Sequence, residues 1–184
     1  MNAAIPLEKI RWSALEFQKL GEVILREGRF ELLDGEIFEM APIGPTHASL
    51  TNRLVAALND SRNRGQHIVS AQNPLRLNAR TELYPDIAVL KYQPNEYASE
   101  LPTATDALLV IEGAHSTFAN DKRYKAPLYL QAGVPLVWLV SIASKSVWIF
   151  DPIHPNGQEL SSGALSLAQM PRLQISVESL FRGI

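Results

Sequence analysis

The 184-residue sequence predicts a mixed α/β fold, an α+β arrangement with a central mixed sheet flanked by helices. Three observations predict it. Asp34-Gly35 separates two short runs rich in apolar residues, as in a tight hairpin. Leu50, Leu54, Val55 and Leu58 recur at helical spacing. Ala107 to Ile111 is an unbroken apolar run, too short for a helix, and so reads as a buried strand.

The elements follow in chain order. Ser13-Ala-Leu-Glu16 matches a capping box, and Leu15, Leu20, Val23, Ile24 and Glu27 continue a helical pattern behind it. Phe30 to Leu33 and Glu36 to Met40 form the hairpin arms, because Asp-Gly supplies the positive φ angles of a two-residue turn. After a Pro42–Pro45 loop, the second helix runs to Gly65, with His47 and Thr51 near one face. Ile68–Ala71, Leu75–Leu77 and Ile87–Leu90 read as strands, and Lys91–Asp106 as an irregular excursion. Asp121–Ala132 reads as a helix closed by Gly133, with Pro127 breaking its first turns or restarting it. Val134–Val140 and Val147–Phe150 are strands joined at Ser144-Lys145, and Ile175–Phe181 is a closing helix or strand. No repeat, low-complexity tract or Gly/Ser linker divides residues 1–184, which predicts one domain.

Composition removes several function classes. There are no cysteines, which excludes disulfides, thiolate zinc sites and cysteine nucleophiles. Their absence suits a cytoplasmic location. Met1–Ile10 carries Pro6, Glu8 and Lys9 and no apolar signal core, and no apolar run approaches membrane-span length, so a soluble protein is expected. The net charge of -2 counts against a protein that coats nucleic acid nonspecifically. It counts less against a metal-dependent nuclease with local basic contacts, for which Arg53, Arg62 and Arg64 are candidates. The sequence has no Gly-x-Ser-x-Gly elbow, P-loop or dinucleotide fingerprint to suggest a small-molecule enzyme.

Two carboxylates carry the chemistry. Asp86 starts one strand directly after Pro85, and Glu112 ends another after Leu108-Leu109-Val110-Ile111. If those strands pair antiparallel, both carboxylates stand at one end of the sheet. Neighbouring carboxylates repel unless a cation intervenes, and hard oxygen ligands favour Mg²⁺, with Mn²⁺ as the alternative. Such a site suits phosphodiester hydrolysis. Two plainer readings stand beside it: Asp86 as a turn residue, and Glu112 ion-paired with a residue such as Arg123.

Arg29-Phe-Glu-Leu-Leu-Asp-Gly-Glu36, Pro45-Thr-His47, Pro85-Asp-Ile-Ala-Val89, Val110-Ile-Glu-Gly-Ala-His-Ser-Thr117, Asp121, Lys125, Tyr129 and Ala132-Gly-Val-Pro-Leu-Val-Trp-Leu-Val140 occur in that order. The ordered set resembles a large restriction endonuclease family, abundant in cyanobacteria and catalogued as a domain of unknown function. That family lies within the PD-(D/E)XK nuclease superfamily. The resemblance implies a restriction-endonuclease-like core, an endonuclease cutting DNA, and Asp86 and Glu112 as metal ligands with the Gly113 carbonyl as a third. The superfamily lysine would stand at Ala114, so the resemblance moves its role to Lys125, with Lys122 as the alternative. That lysine would orient the attacking water or hold the scissile phosphate.

Glu31 matches a family glutamate that would reach the metal or its waters, and is equally readable as a solvent-facing hairpin residue. His47 matches a helix-start histidine, readable as a base or as a hydrogen-bonded structural residue. His115 departs from the small polar or acidic residue usual there, while His67 and His154 show no pattern. A homodimer is expected, since two strands need two sites, with apolar positions of the Trp138–Phe150 hairpin as an interface. The competing function is a catalytically idle relative that keeps the fold for nucleic-acid binding or assembly.

Overall fold

A reciprocal capping box opens the first helix. The Ser13 hydroxyl accepts from the Glu16 N–H at 3.2 Å, and the Glu16 carboxylate accepts from the Ser13 N–H at 2.8 Å. The structure, a computed structural model, describes residues 9–23, 28–59, 67–114 and 117–184, with Arg172 described through its backbone alone. Ile24, Glu27, Arg62, Arg64, Gly65 and His115 lie outside the described residues. Within α1 (Ala14–Val23) the buried residues are Ala14 and Phe17, packed against Leu32, whereas Leu15 and Val23 of the expected pattern are exposed. The three-residue step from Ala14 to Phe17 sets the phase of the helix.

The hairpin of β1 (Phe30–Leu33) and β2 (Glu36–Glu39) turns at Asp34 and Gly35, with φ of 46° and 80°. Gly35 is also required by space, since a Cβ there would lie 2.8 Å from the Arg11 Cβ. This hairpin joins β4 (Leu75–Asn78) and β5 (Thr81–Leu83) in a four-stranded sheet ordered β2-β1-β5-β4. The sequence reading had no counterpart to β5. Its three residues are too few to show alternation, and Glu82 occupies its centre.

The central sheet has six strands in the order β10-β9-β8-β7-β6-β3. They are β3 (His67–Ala71), β6 (Ile87–Lys91), β7 (Ala107–Ala114), β8 (Val137–Ser141), β9 (Ser146–Phe150) and β10 (Gln158–Leu160). Neighbours are antiparallel except β7 and β8, which run parallel, so the sheet is mixed. Strand β8 begins three residues later than expected, because Pro135 has no N–H for the ladder and the Val134 N–H donates to the Tyr129 carbonyl.

Both faces of this sheet are covered. Val89, Leu109, Ile111, Trp138 and Val140 pack with α2 (Pro45–Leu58), the hairpin β11 (Ala164–Leu167) and β12 (Met170–Ser176), and α5 (Val177–Leu180). Ala88, Leu90, Val110, Val137 and Leu139 pack with Ala126 and Tyr129 and with Leu75 and Leu83 of the smaller sheet. The tail therefore supplies a strand and then a helix. This cover removes most of the interface expected at Trp138–Phe150: Trp138, Val140, Val147 and Phe150 are core residues, while Trp148 and Ile149 are half-buried.

The parallel step from β7 to β8 is bridged by a helical segment with a widened turn. It comprises α3 (Phe118–Asn120), a π turn (Asp121–Lys125) and α4 (Ala126–Gln131). The Ala126 N–H donates to the Asp121 carbonyl, five residues back. Pro127 would crowd the Arg123 carbonyl in a continuous α-helix, and the wider turn opens room just before the helix restarts. Gly133, at φ 97°, closes it. Among the described residues no helix is long and apolar enough to cross a membrane.

Candidate functional site

Antiparallel pairing of β6 with β7 sets Ile87 opposite Ile111. Asp86, just ahead of β6, thereby meets Glu112, which lies inside β7 rather than at its end. The Asp86 N–H points to Glu112 Oε2 at 3.4 Å, and Asp86 Oδ2 accepts from the Gly113 N–H at 2.7 Å. The Gly113 contact is thus through its amide. By strand alternation Glu112 shares the sheet face of Val110, where Tyr129 of α4 packs, and the Tyr129 hydroxyl donates to Glu112 Oε1 at 2.7 Å.

Three further residues converge from separate elements. His47, in the first turn of α2, donates through Nε2 to Asp86 Oδ1 at 2.7 Å. Glu31 of β1 is buried and accepts from the Tyr84 N–H at 3.2 Å, so it is not a solvent-facing hairpin residue. Lys125, the last residue of the π turn, lies 2.9 Å from Glu31 and 3.7 Å from Glu112. Lys122 points elsewhere, its ammonium 3.1 Å from the centre of the Trp148 ring. Arg123 lies over Tyr124 rather than against Glu112, and Arg53 donates to the Leu180 carbonyl at 2.9 Å instead of offering a free basic patch. His67 and His154 bond to the Leu58 carbonyl and to Asp151, away from the cavity.

These residues surround an open cavity of about 680 Å³, whose lining includes Glu31, His47, Asp86, Glu112, Asp121 and Lys125. The carboxylates at its base are largely buried: Asp86 and Glu112 are 8% and 7% exposed. Burial pushes the Glu112 carboxyl up to about 8; Lys125 opposes the shift, while Asp86 and Glu31 add to it. Burial alone would lower the Lys125 ammonium, but the Glu112 and Glu31 carboxylates outweigh it and raise it. The hydrogen bond to Asp86 raises His47 against the effect of burial, and burial raises Asp121 against its bond from Thr117.

A family model described as "Uma2: Putative restriction endonuclease" matches residues 14–180. The chain belongs to the Uma2 family. Its fold is that of a nuclease-like relative, solved as "a putative nuclease belonging to DUF820" from Anabaena variabilis. The two superpose with a TM-score of 0.77 at 18% identity, over 93% of this chain and 98% of that one, a likeness of fold. No curated protein matches the sequence.

The Uma2 chain brings Asp86, Glu112, Glu31, His47 and Lys125 to one cavity. Sequence reasoning gave no role to Tyr129, Asp121 or Arg29, although Asp121, Lys125 and Tyr129 recur every four residues. That spacing was a usable signal, obscured by the expectation that Pro127 interrupts the helix. Arg29 gave no such signal, because an arginine beside a hairpin usually faces water.

A divalent cation fits the donor set. Among the described residues no group of three or more His, Asp and Glu side chains forms a ready-made metal cage. Mg²⁺ does not require one, being commonly held by one or two carboxylates with retained waters. Asp86 and Glu112 offer hard oxygens with lone pairs left over from the bonds above. In the lining the carboxylates Glu31, Glu39 and Asp121 join Asp86 and Glu112, and Lys125 and Arg29 are its lysine and arginine.

Proposed function

We propose that this Uma2 protein is a Mg²⁺-dependent endonuclease that hydrolyses DNA phosphodiester bonds, with Mn²⁺ as an alternative metal. The observation that carries the reading is the placement of Asp86 and Glu112 side by side on the cavity floor, with the Lys125 ammonium beside Glu112. Asp86 and Glu112 would hold the cation, with the Gly113 backbone adjoining. A bound divalent cation supplies Lewis-acid activation of water and offsets charge on the phosphate. Lys125 stays protonated between Glu31 and Glu112, so it acts by orienting water or gripping a phosphate oxygen rather than as a base. Glu31 fixes Lys125, and His47 fixes the Asp86 carboxylate through Oδ1, the oxygen that Gly113 leaves free.

The test is cleavage of supercoiled plasmid and of single-stranded circular DNA with Mg²⁺ or Mn²⁺ by wild type, Asp86→Asn and Glu112→Gln. Wild type should nick with either metal and not in EDTA, and each variant should lose at least about a hundredfold in rate, the scale of removing one group that stabilises transition-state charge. Wild-type rates in Asp86→Asn would end the assignment. The idle-relative reading draws on the lack of a three-ligand cage among the described residues. It expects no metal-dependent nicking by any of the three proteins.

A further inference from the structure

The cavity carries features that metal chemistry leaves unused. Phe38 on β2, Ile43 before α2 and Tyr124 in the π turn line it, yet they are 48%, 37% and 50% exposed. Large apolar side chains left open at one cavity mouth mark a binding surface more often than chance. Arg29 lines the same cavity, and its Nη2 is buried with no hydrogen-bond partner among the described residues. A buried guanidinium nitrogen without a partner is costly, and the Arg29 charge offers an anion in the cavity a counter-charge.

We propose that the cavity receives one unpaired nucleotide of a single-stranded DNA segment, its base against Phe38, Ile43 and Tyr124 and a phosphate on Arg29. This rests on the nuclease reading above and names its substrate class. Three considerations favour a single strand over an intact duplex. The carboxylates lie low in a pocket, and a flexible single strand can lower a phosphate into it where a stiff duplex meets only the rim. A volume of about 680 Å³ lies within the range for one small-molecule-sized group, not for two paired strands. Duplex affinity comes from many phosphate contacts, whereas this chain has 17 Lys and Arg against 19 Asp and Glu. Stacking on aromatic side chains supplies affinity without a broad basic face, since every base presents a π surface.

The probes are a fluorescein-labelled 20-nucleotide single strand and its duplex, followed by anisotropy in EDTA so that binding is read without cleavage. The single strand should bind at least about tenfold tighter than the duplex. Phe38→Ala and Tyr124→Ala should each weaken single-strand binding by about tenfold, the scale of one lost stacking contact, with little effect on the duplex. Arg29→Met should weaken it too, and lower the slope of log affinity against log salt by about 0.7, one single-strand phosphate. Thermal melts confirm folding, and the two half-exposed aromatic sites keep the test open if Arg29→Met does not fold. Equal or tighter duplex binding, or unchanged binding by both aromatic variants, would overturn the inference. Cleavage in Mg²⁺ is scored separately: failure to cut either DNA overturns the nuclease reading, while the anisotropy still decides the nucleotide pocket.

Discussion

Two buried carboxylates on neighbouring sheets show what separates a structural charge from a functional one. Glu82, in the smaller sheet, is fully covered and receives Arg76 at 3.1 and 3.2 Å and Gln18 at 3.2 Å. Glu112, in the central sheet, is almost as deeply buried and receives Tyr129 and Lys125. Burial raises the carboxyl of both, so depth does not distinguish them. The difference is balance and access. Glu82 has one guanidinium to itself, whereas Glu112 shares one lysine with Glu31 and also faces Asp86 on a cavity floor. A closed pair needs nothing more, whereas on the proposed reading a cation would complete the open group with its excess carboxylates.

The largest expected effect belongs to the closed pair. Arg76→Met strands a carboxylate with no exposed surface, and should cost about 3 kcal/mol, the scale for breaking a buried ion pair by removing one partner. Urea unfolding should show the same loss with and without Mg²⁺. A loss that Mg²⁺ reverses would mean that the Glu82 cluster also takes a cation, and the comparison would collapse.

Lys125→Met should come second, at about 1–3 kcal/mol without metal, because Glu112 can escape part of the penalty by taking a proton. Here Mg²⁺ should restore much of the loss, since a bound cation replaces the missing charge and binding to the native state adds stability by mass action. An Mg²⁺-insensitive loss would place Lys125 with Arg76, as the partner of a structural pair.

The comparison also shows how much of the molecule was legible beforehand. The Asp34-Gly35 turn, the α2 spacing and the Ala107–Ile111 strand were readable because each depends on local chemistry, φ angles or periodicity. Asp86 and Glu112 were readable as a pair because antiparallel pairing of two strands is a single assumption. Strand β5 and the Glu82 cluster were not, since three residues show no period and Arg76 gains its meaning only once β4 and β5 pair. The Trp138–Phe150 hairpin was misread for a related reason. A sequence shows apolar residues but not the second layer, here α2, α5 and β11–β12, that covers them.

The smallest expected effect on stability comes from a change that, on the proposed reading, should abolish activity. Asp86→Asn removes a charge from a cluster rich in carboxylates, and the local hydrogen bonds can survive it. The new amide oxygen can accept from the Gly113 N–H in place of Oδ2. Its NH₂ group can donate to His47 Nε2 once that ring adopts the other neutral tautomer, in place of the present donation to Oδ1. No buried donor is stranded, and the repulsion of Glu112 and Asp121 by Asp86 is removed. Without metal, the Tm should therefore stay within about 2–4 °C of wild type or rise, the range corresponding to about 1 kcal/mol for a chain of this length. The Mg²⁺-induced rise in Tm expected of wild type should vanish. A metal-free drop of about 10 °C would put Asp86 in the class of Arg76, as one half of a structural pair with His47, and would leave Glu112 without the second carboxylate that the metal reading requires.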